Sequence, residues 1–178
     1  MSLQVRHAVD PQLLERSSSM AQAPANRRPH FLHAGKIYVS SEHESILLIL
    51  GSCVAVCIWD PLAAIGGATH YLLPAWDGQG LSSARYGNIA ISELLQSLAC
   101  AGAVHQRLRA KVFGGGSLLG FENKLGGSNR PLGSRNVDLA IEMLSSQKIP
   151  LLSLEAGGNR GQRIIFHTHT GETAVTRL

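Results

Sequence analysis

Runs of apolar residues and their spacing divide the chain into strands and helices before any chemistry is considered. Lys36 to Val39 and Ile46 to Leu50 have the length and composition of strands, and Ser52 to Trp59, rich in Val, Ile and Cys, predicts a buried one. Asp60-Pro61 signals a turn, because Asp favours its first position and Pro its second, and Ala68 to Leu73 is the returning strand. Ile91, Leu94, Leu95 and Leu98 recur at helical spacing within Asn88 to Ala101, and Gly102 stops that helix. A strand is expected at Arg109 to Phe113. Val137, Ala140, Ile141 and Leu144 form the apolar stripe of a second helix that Asn136 is expected to cap, followed by a strand at Ile149 to Leu154. Gly157-Gly158-Asn159 turns the chain into strands at Gln162 to Thr168 and Thr173 to Arg177. This order, without an internal repeat, predicts an α/β or α+β domain.

Two stretches lack this periodicity. Residues 1 to 30 mix Ser, Ala, Gln, Pro and Arg, so a flexible tail, with a short helix at Pro11 to Arg16, is expected ahead of a domain over residues 31 to 178. Gly114 to Asn136 reads as a long glycine-rich surface loop, expected to border the functional cleft.

Composition removes several function classes. The chain has 178 residues, of which 44% are hydrophobic and 16% charged, against about 25% charged in an average domain, which excludes a disordered or coiled-coil scaffold. The net charge of +4 is not gathered into a stripe, and the few aromatics are scattered, so nucleic acid is not an expected partner. Ile46 to Trp59, the longest apolar stretch, has 14 residues against the roughly 20 needed to cross a bilayer, and no membrane insertion is expected. The three cysteines form no CxxC pair, and an odd number suits a reducing compartment, so the protein is expected in the cytoplasm.

The richest constellation is Gly51-Ser52-Cys53 followed by His70. An antiparallel register that pairs Cys53 with His70 centres the turn on Pro61 and Leu62, where the Asp-Pro signal lies, and would set the two side chains about 5 Å apart. A free thiol is mostly protonated at neutral pH, whereas a thiolate–imidazolium pair is a strong nucleophile, and Gly51 and Ser52 would allow backbone amides to approach an oxyanion. The spacing is equally that of a small core thiol and a hydrogen-bonded core histidine. Cys57 and Cys100 read as structural. His167 and His169 alternate along a strand and, with His70, make a candidate metal set, although HxH without a placed third ligand is more simply two exposed strand histidines.

Beyond isolated motifs, Leu50-Gly51-Ser52-Cys53-Val54-Ala55-Val56-Cys57, Asp60-Pro61, Gly67-Ala68-Thr69-His70 and Leu73-Pro74 follow one another as in the CheD family of chemoreceptor glutamine deamidases. Arg85-Tyr86-Gly87, Ala110 to Gly115, Gly133 to Asn136, Ile149-Pro150 and Gly157 to Arg160 extend the resemblance over about residues 33 to 178. The resemblance implies a layered α/β sandwich of mostly antiparallel strands with two main helices, shared with toxin deamidases. It also implies Cys53 as nucleophile, His70 as base, no cofactor and no metal. The implied substrates are glutamines on the cytoplasmic helices of methyl-accepting chemotaxis receptors, with glutamyl methyl esters as further substrates in some members, and a CheC-type phosphatase is an implied partner. The family can place a threonine six residues before the cysteine as a third catalytic group, and Leu47 stands there in this chain. A non-catalytic adaptor that binds receptor or phosphatase is the alternative from a different class.

Overall fold

The computed structural model describes residues 28–117 and 130–178. Most of the expected tail, its short helix, and the middle of the glycine-rich loop lie outside these residues. In chain order the strands are β1 (His30–Phe31), β2 (Lys36–Ser40), β3 (Ser45–Leu50), β4 (Val54–Asp60), β5 (Ile65–Tyr71), β6 (Arg109–Gly114), β7 (Leu151–Ala156), β8 (Gln162–His167) and β9 (Thr173–Arg177). The helices are α1 (Gly87–Cys100) and α2 (Leu132–Ser146).

The strands form two sheets, one in the order β1-β3-β8-β9 and the other β2-β5-β4-β6-β7. All neighbours are antiparallel except β1 with β3 and β6 with β7. The two helices pack on one face of the five-stranded sheet, and the four-stranded sheet covers its other face. This is the layered α+β sandwich expected, with two helices and mostly antiparallel strands.

A strand covered on both faces should be apolar throughout, whereas one with a solvent face should alternate. All seven residues of β4 are buried, Val54, Val56 and Ile58 toward the helices and Ala55, Cys57 and Trp59 toward the second sheet. By contrast, β8 alternates strictly between buried and half-buried positions. Gly67 lies in β5, where a Cβ would collide with the Tyr38 carbonyl and with Val39 and press on Leu94; the missing side chain lets α1 and β2 close on the sheet.

Two expectations about α2 are corrected. The helix starts at Leu132 rather than at Asn136, so Asn136 is a buried residue of its second turn and not its cap. Ile141 is 38% exposed, so the buried stripe runs instead through Gly133, Asn136, Val137, Ala140 and Leu144. Pro131 at the N-cap position lacks an N–H and is extended, which fits the start of a helix one residue later.

Candidate active site

The hairpin of β4 and β5 pairs Ala55, not Cys53, with His70. The turn occupies Pro61 to Ala64, two residues longer than the tight turn expected, because the Asp60 carboxylate accepts from the amides of Leu62 and Ala63 and holds a wider loop. A shift of two residues preserves the side-chain face. Ala55 and His70 therefore share the face toward the second sheet, and the register position of Cys53 is diagonal to His70.

Cys53 itself lies just before β4, in a half-exposed turn that backbone bonds clamp to the end of β6. Gly115 N–H donates to the Cys53 carbonyl at 2.8 Å, and Gly116 N–H donates to the Gly51 carbonyl at 2.8 Å. Gly114, at φ 101°, has no room for a side chain because a Cβ would run into the Cys53 carbonyl. Burial pushes the Cys53 thiol above its ordinary pKa, opposed by the backbone N–H groups of Cys53 and Gly51.

His70 is only 5% exposed. Its Nδ1 lies 3.0 Å from the Leu32 carbonyl, an acceptor, so Nδ1 carries the proton and Nε2 is left with its lone pair. Among the described residues, Cys53 included, nothing hydrogen-bonds Nε2, although it is fully buried. Burial lowers the His70 pKa, with the Leu32 bond acting against that shift and the nearby His33 adding to it. Both shifts disfavour the charged forms, the thiolate of Cys53 and the imidazolium of His70.

The orienting group is a backbone carbonyl, which no reading of side chains reveals. Leu32 N–H donates to the Leu47 carbonyl at 2.9 Å. Leu47, at the threonine position, therefore acts through its main chain: it holds the segment whose carbonyl fixes the imidazole.

Asn136, missed as a site residue, joins the two halves. Its Nδ2 donates to the Leu72 carbonyl at 2.9 Å and to the Ser52 carbonyl at 3.3 Å, linking the end of the His70 strand to the Cys53 turn. Tyr71 Oη donates to the Asn136 carbonyl at 2.6 Å. The signal was present in the sequence as a polar residue on the apolar stripe of α2.

The other singled-out residues lie elsewhere. Cys57 is fully buried in β4, and burial drives its thiol far up despite Lys111 nearby. Cys100, expected to be structural, is exposed at the last position of α1 and contributes nothing to the core. His167 is half-buried and shares a 2.9 Å hydrogen bond with Ser45 Oγ, while His169, beyond β8, stacks on His43 at 4.3 Å. They are thus not two exposed strand histidines. His70 is not among them, and among the described residues no group of three or more His, Cys, Asp or Glu has the arrangement to hold a metal ion.

The family model described as CheD chemotactic sensory transduction matches residues 72–177. A protein of Anaeromyxobacter dehalogenans, named probable chemoreceptor glutamine deamidase CheD 1, is 44% identical over 148 residues, covering 83% of this chain and 84% of its own length. The chain belongs to the CheD family. A CheD of Trichlorobacter lovleyi, also named a probable chemoreceptor glutamine deamidase, is 40% identical over 150 residues, covering 84% of this chain and 91% of its own. The match to the family model begins two residues beyond His70, but a 148-residue match within 178 residues necessarily spans both Cys53 and His70. The crystal structure of Bacillus licheniformis hypothetical protein YfiH overlaps 76% of this chain and 61% of its own at 14% identity and a TM-score of 0.41, which leaves the CheD assignment to rest on sequence.

Proposed function

We propose that this CheD-family protein hydrolyses glutamine side chains of chemoreceptors to glutamate, with Cys53 as nucleophile and His70 as its base, and so tunes chemotaxis signalling. The observation that carries the reading is the His70 ring: one nitrogen is fixed by the Leu32 carbonyl, while the other is buried without a partner among the described residues, and His70 pairs with Ala55, two residues from Cys53. A buried acceptor without a partner costs stability, roughly 1–3 kcal/mol, and such groups concentrate where chemistry needs them.

The reaction balances around these groups. His70 Nε2 takes the thiol proton as Sγ bonds to the side-chain amide carbon, and the carbonyl oxygen becomes an oxyanion for which backbone N–H groups of the Gly51 to Cys53 turn are the donors. The imidazolium then protonates the amide nitrogen, the C–N bond breaks and ammonia leaves a thioester. Water, deprotonated by His70, attacks the thioester; the C–S bond breaks, the thiol is re-formed and glutamate is released. The Leu32 bond keeps the same tautomer available for both steps. A water-excluding substrate would bring Sγ and Nε2 into contact, as catalytic hydrogen bonds commonly tighten on binding.

The substrate is read as a receptor cytoplasmic helix, the place of action as the cytoplasm, and a CheC-type phosphatase as a second partner. Mass spectrometry of receptor cytoplasmic fragments incubated with the protein tests the activity: glutamine converted to glutamate at defined sites is expected. Binding without conversion would replace the deamidase with the adaptor reading.

A further inference from the structure

The strap that clamps the nucleophile's turn has a second side. Gly157 N–H donates to the Gly114 carbonyl and Ser117 N–H donates to the Gly158 carbonyl, each at 2.8 Å. Beyond it opens a cavity of about 400 Å³ whose wall includes Leu154, Glu155, Asn159, Arg160, Gln162 and Arg177. Its floor is fixed: the buried Gln162 accepts from Gly114 N–H at 3.0 Å and donates to the Glu155 carbonyl at 3.1 Å, tying β6, β7 and β8 together.

Arg160 and Arg177 are exposed, and among the described residues neither is in an ion pair. The cavity's one acidic residue, Glu155, forms no ion pair with either, so the wall carries an excess of one positive charge. Two guanidinium forks match a carboxylate, which accepts two parallel N–H bonds. Leu154, 46% exposed, adds an apolar rim of the kind that receives a protein segment rather than a free ion.

Register places this cleft relative to the chemistry. Val54, next to Cys53, pairs with Gly114, and Gly114 pairs with Ala156, so the cleft begins two strand spacings, about 10 Å, from the nucleophile. On a helix at about 1.5 Å per residue, that span is about two turns. We propose that the cleft is a second substrate contact, taking a carboxylate on the receptor helix one to two turns from the glutamine under attack. The inference rests on the deamidase reading for its substrate. It also gives a consequence for order: a glutamate made by one turnover at that spacing becomes a ligand for the next, so neighbouring sites are converted sequentially.

The test uses the Cys53→Ala protein, which separates binding from turnover, and a receptor cytoplasmic fragment followed by fluorescence anisotropy. Adding Arg160→Glu and Arg177→Glu is expected to raise Kd about tenfold at about 50 mM salt and to abolish most of its salt dependence. Thermal melting checks that the exposed substitutions leave the fold intact. An unchanged Kd, or no binding by the Cys53→Ala protein, overturns the cleft. If Kd shifts as expected but the wild-type protein converts no glutamine, the deamidase reading fails and the cleft stands. Replacing the fragment's glutamates one to two turns from the modified glutamine with glutamine should weaken binding to the arginine-bearing protein but not to the charge-reversed one; equal effects on both contradict the proposal.

Discussion

The two ends of β4 treat their polar groups in opposite ways. At its far end, Asp60 is completely buried and fully answered. Its carboxylate accepts from Leu62, Ala63 and Val104 N–H at 3.0, 3.1 and 2.9 Å, and Arg107 grips it with Nη2 at 2.7 Å. Burial alone would raise the Asp60 pKa, but the Arg107 bond and the three amides hold it well below the ordinary carboxylate range. At the near end, His70 Nε2 and Asn136 Oδ1 are buried without a partner among the described residues, and the Cys53 thiol sits in a turn rather than in the sheet. One end satisfies every polar group of its buried carboxylate, and the other leaves two buried polar atoms unsatisfied.

That contrast can be broken from either end. Cys53→Ala should abolish glutamine conversion, a loss of at least about 10⁴-fold, while melting unchanged, because its half-exposed side chain fills no core site. A residual rate within tenfold of wild type would put the nucleophile elsewhere. His70→Gln should lower kcat by roughly 10²- to 10⁴-fold with the fold retained. At the other end, Asp60→Ala should leave kcat/KM unchanged but cost about 2–3 kcal/mol, seen as a fall of about 5–10 °C in Tm. A changed rate at unchanged Tm would erase the division between the two ends.

Asn136 sharpens the comparison because it joins the Cys53 turn to the end of the His70 strand. Asn136→Ala leaves the Ser52 and Leu72 carbonyls without their side-chain donor, and kcat should drop about tenfold with KM nearly constant. If kcat and KM move together, Asn136 shapes the substrate cleft instead.

The smallest effects are those of pH, and their sign differs from that of a preformed ion pair. With the His70 pKa lowered by burial, kcat/KM should hold as pH falls to the ordinary imidazole pKa of about 6.5 and decline only below it. Alkylation of Cys53 by iodoacetamide should titrate above the ordinary thiol range, and a midpoint near pH 5 would restore the ion pair. For stability, the unfolded chain binds more protons at both residues. His70 therefore favours the unfolded state as pH falls below about 6.5, and the contribution of Asp60 is lost as pH falls below about 4.

Much of this was legible in the sequence, and the reason is visible in β4. Its unbroken apolar run marks a strand enclosed by two layers, and β2 to β9 and α1 are found within a few residues of the positions that periodicity predicts, whereas β1 was not expected and begins at His30, inside the expected tail. Register was harder. Asp-Pro marks where the hairpin turns but not how wide it is; the loop length is set by Asp60 capping amides inside the turn and by Ala64 at φ 56°. The pairing that forms instead, Ala55 with His70, lies two residues from the one expected. The supporting groups were hidden for a different reason. The Leu32 and Leu47 carbonyls belong to the main chain, where residue type carries no signal, and Asn136 had two roles open to it, helix cap and buried bridge, between which only packing decides.

The central claim is that the open end of β4 forms a covalent bond with its substrate. Acid-quenched intact mass spectrometry of the wild-type protein, mixed with a receptor fragment, tests it directly. The account predicts an adduct on Cys53 equal to the fragment less one ammonia, absent in the Cys53→Ala protein. Conversion of glutamine to glutamate with no such adduct, or with one on another residue, would contradict it.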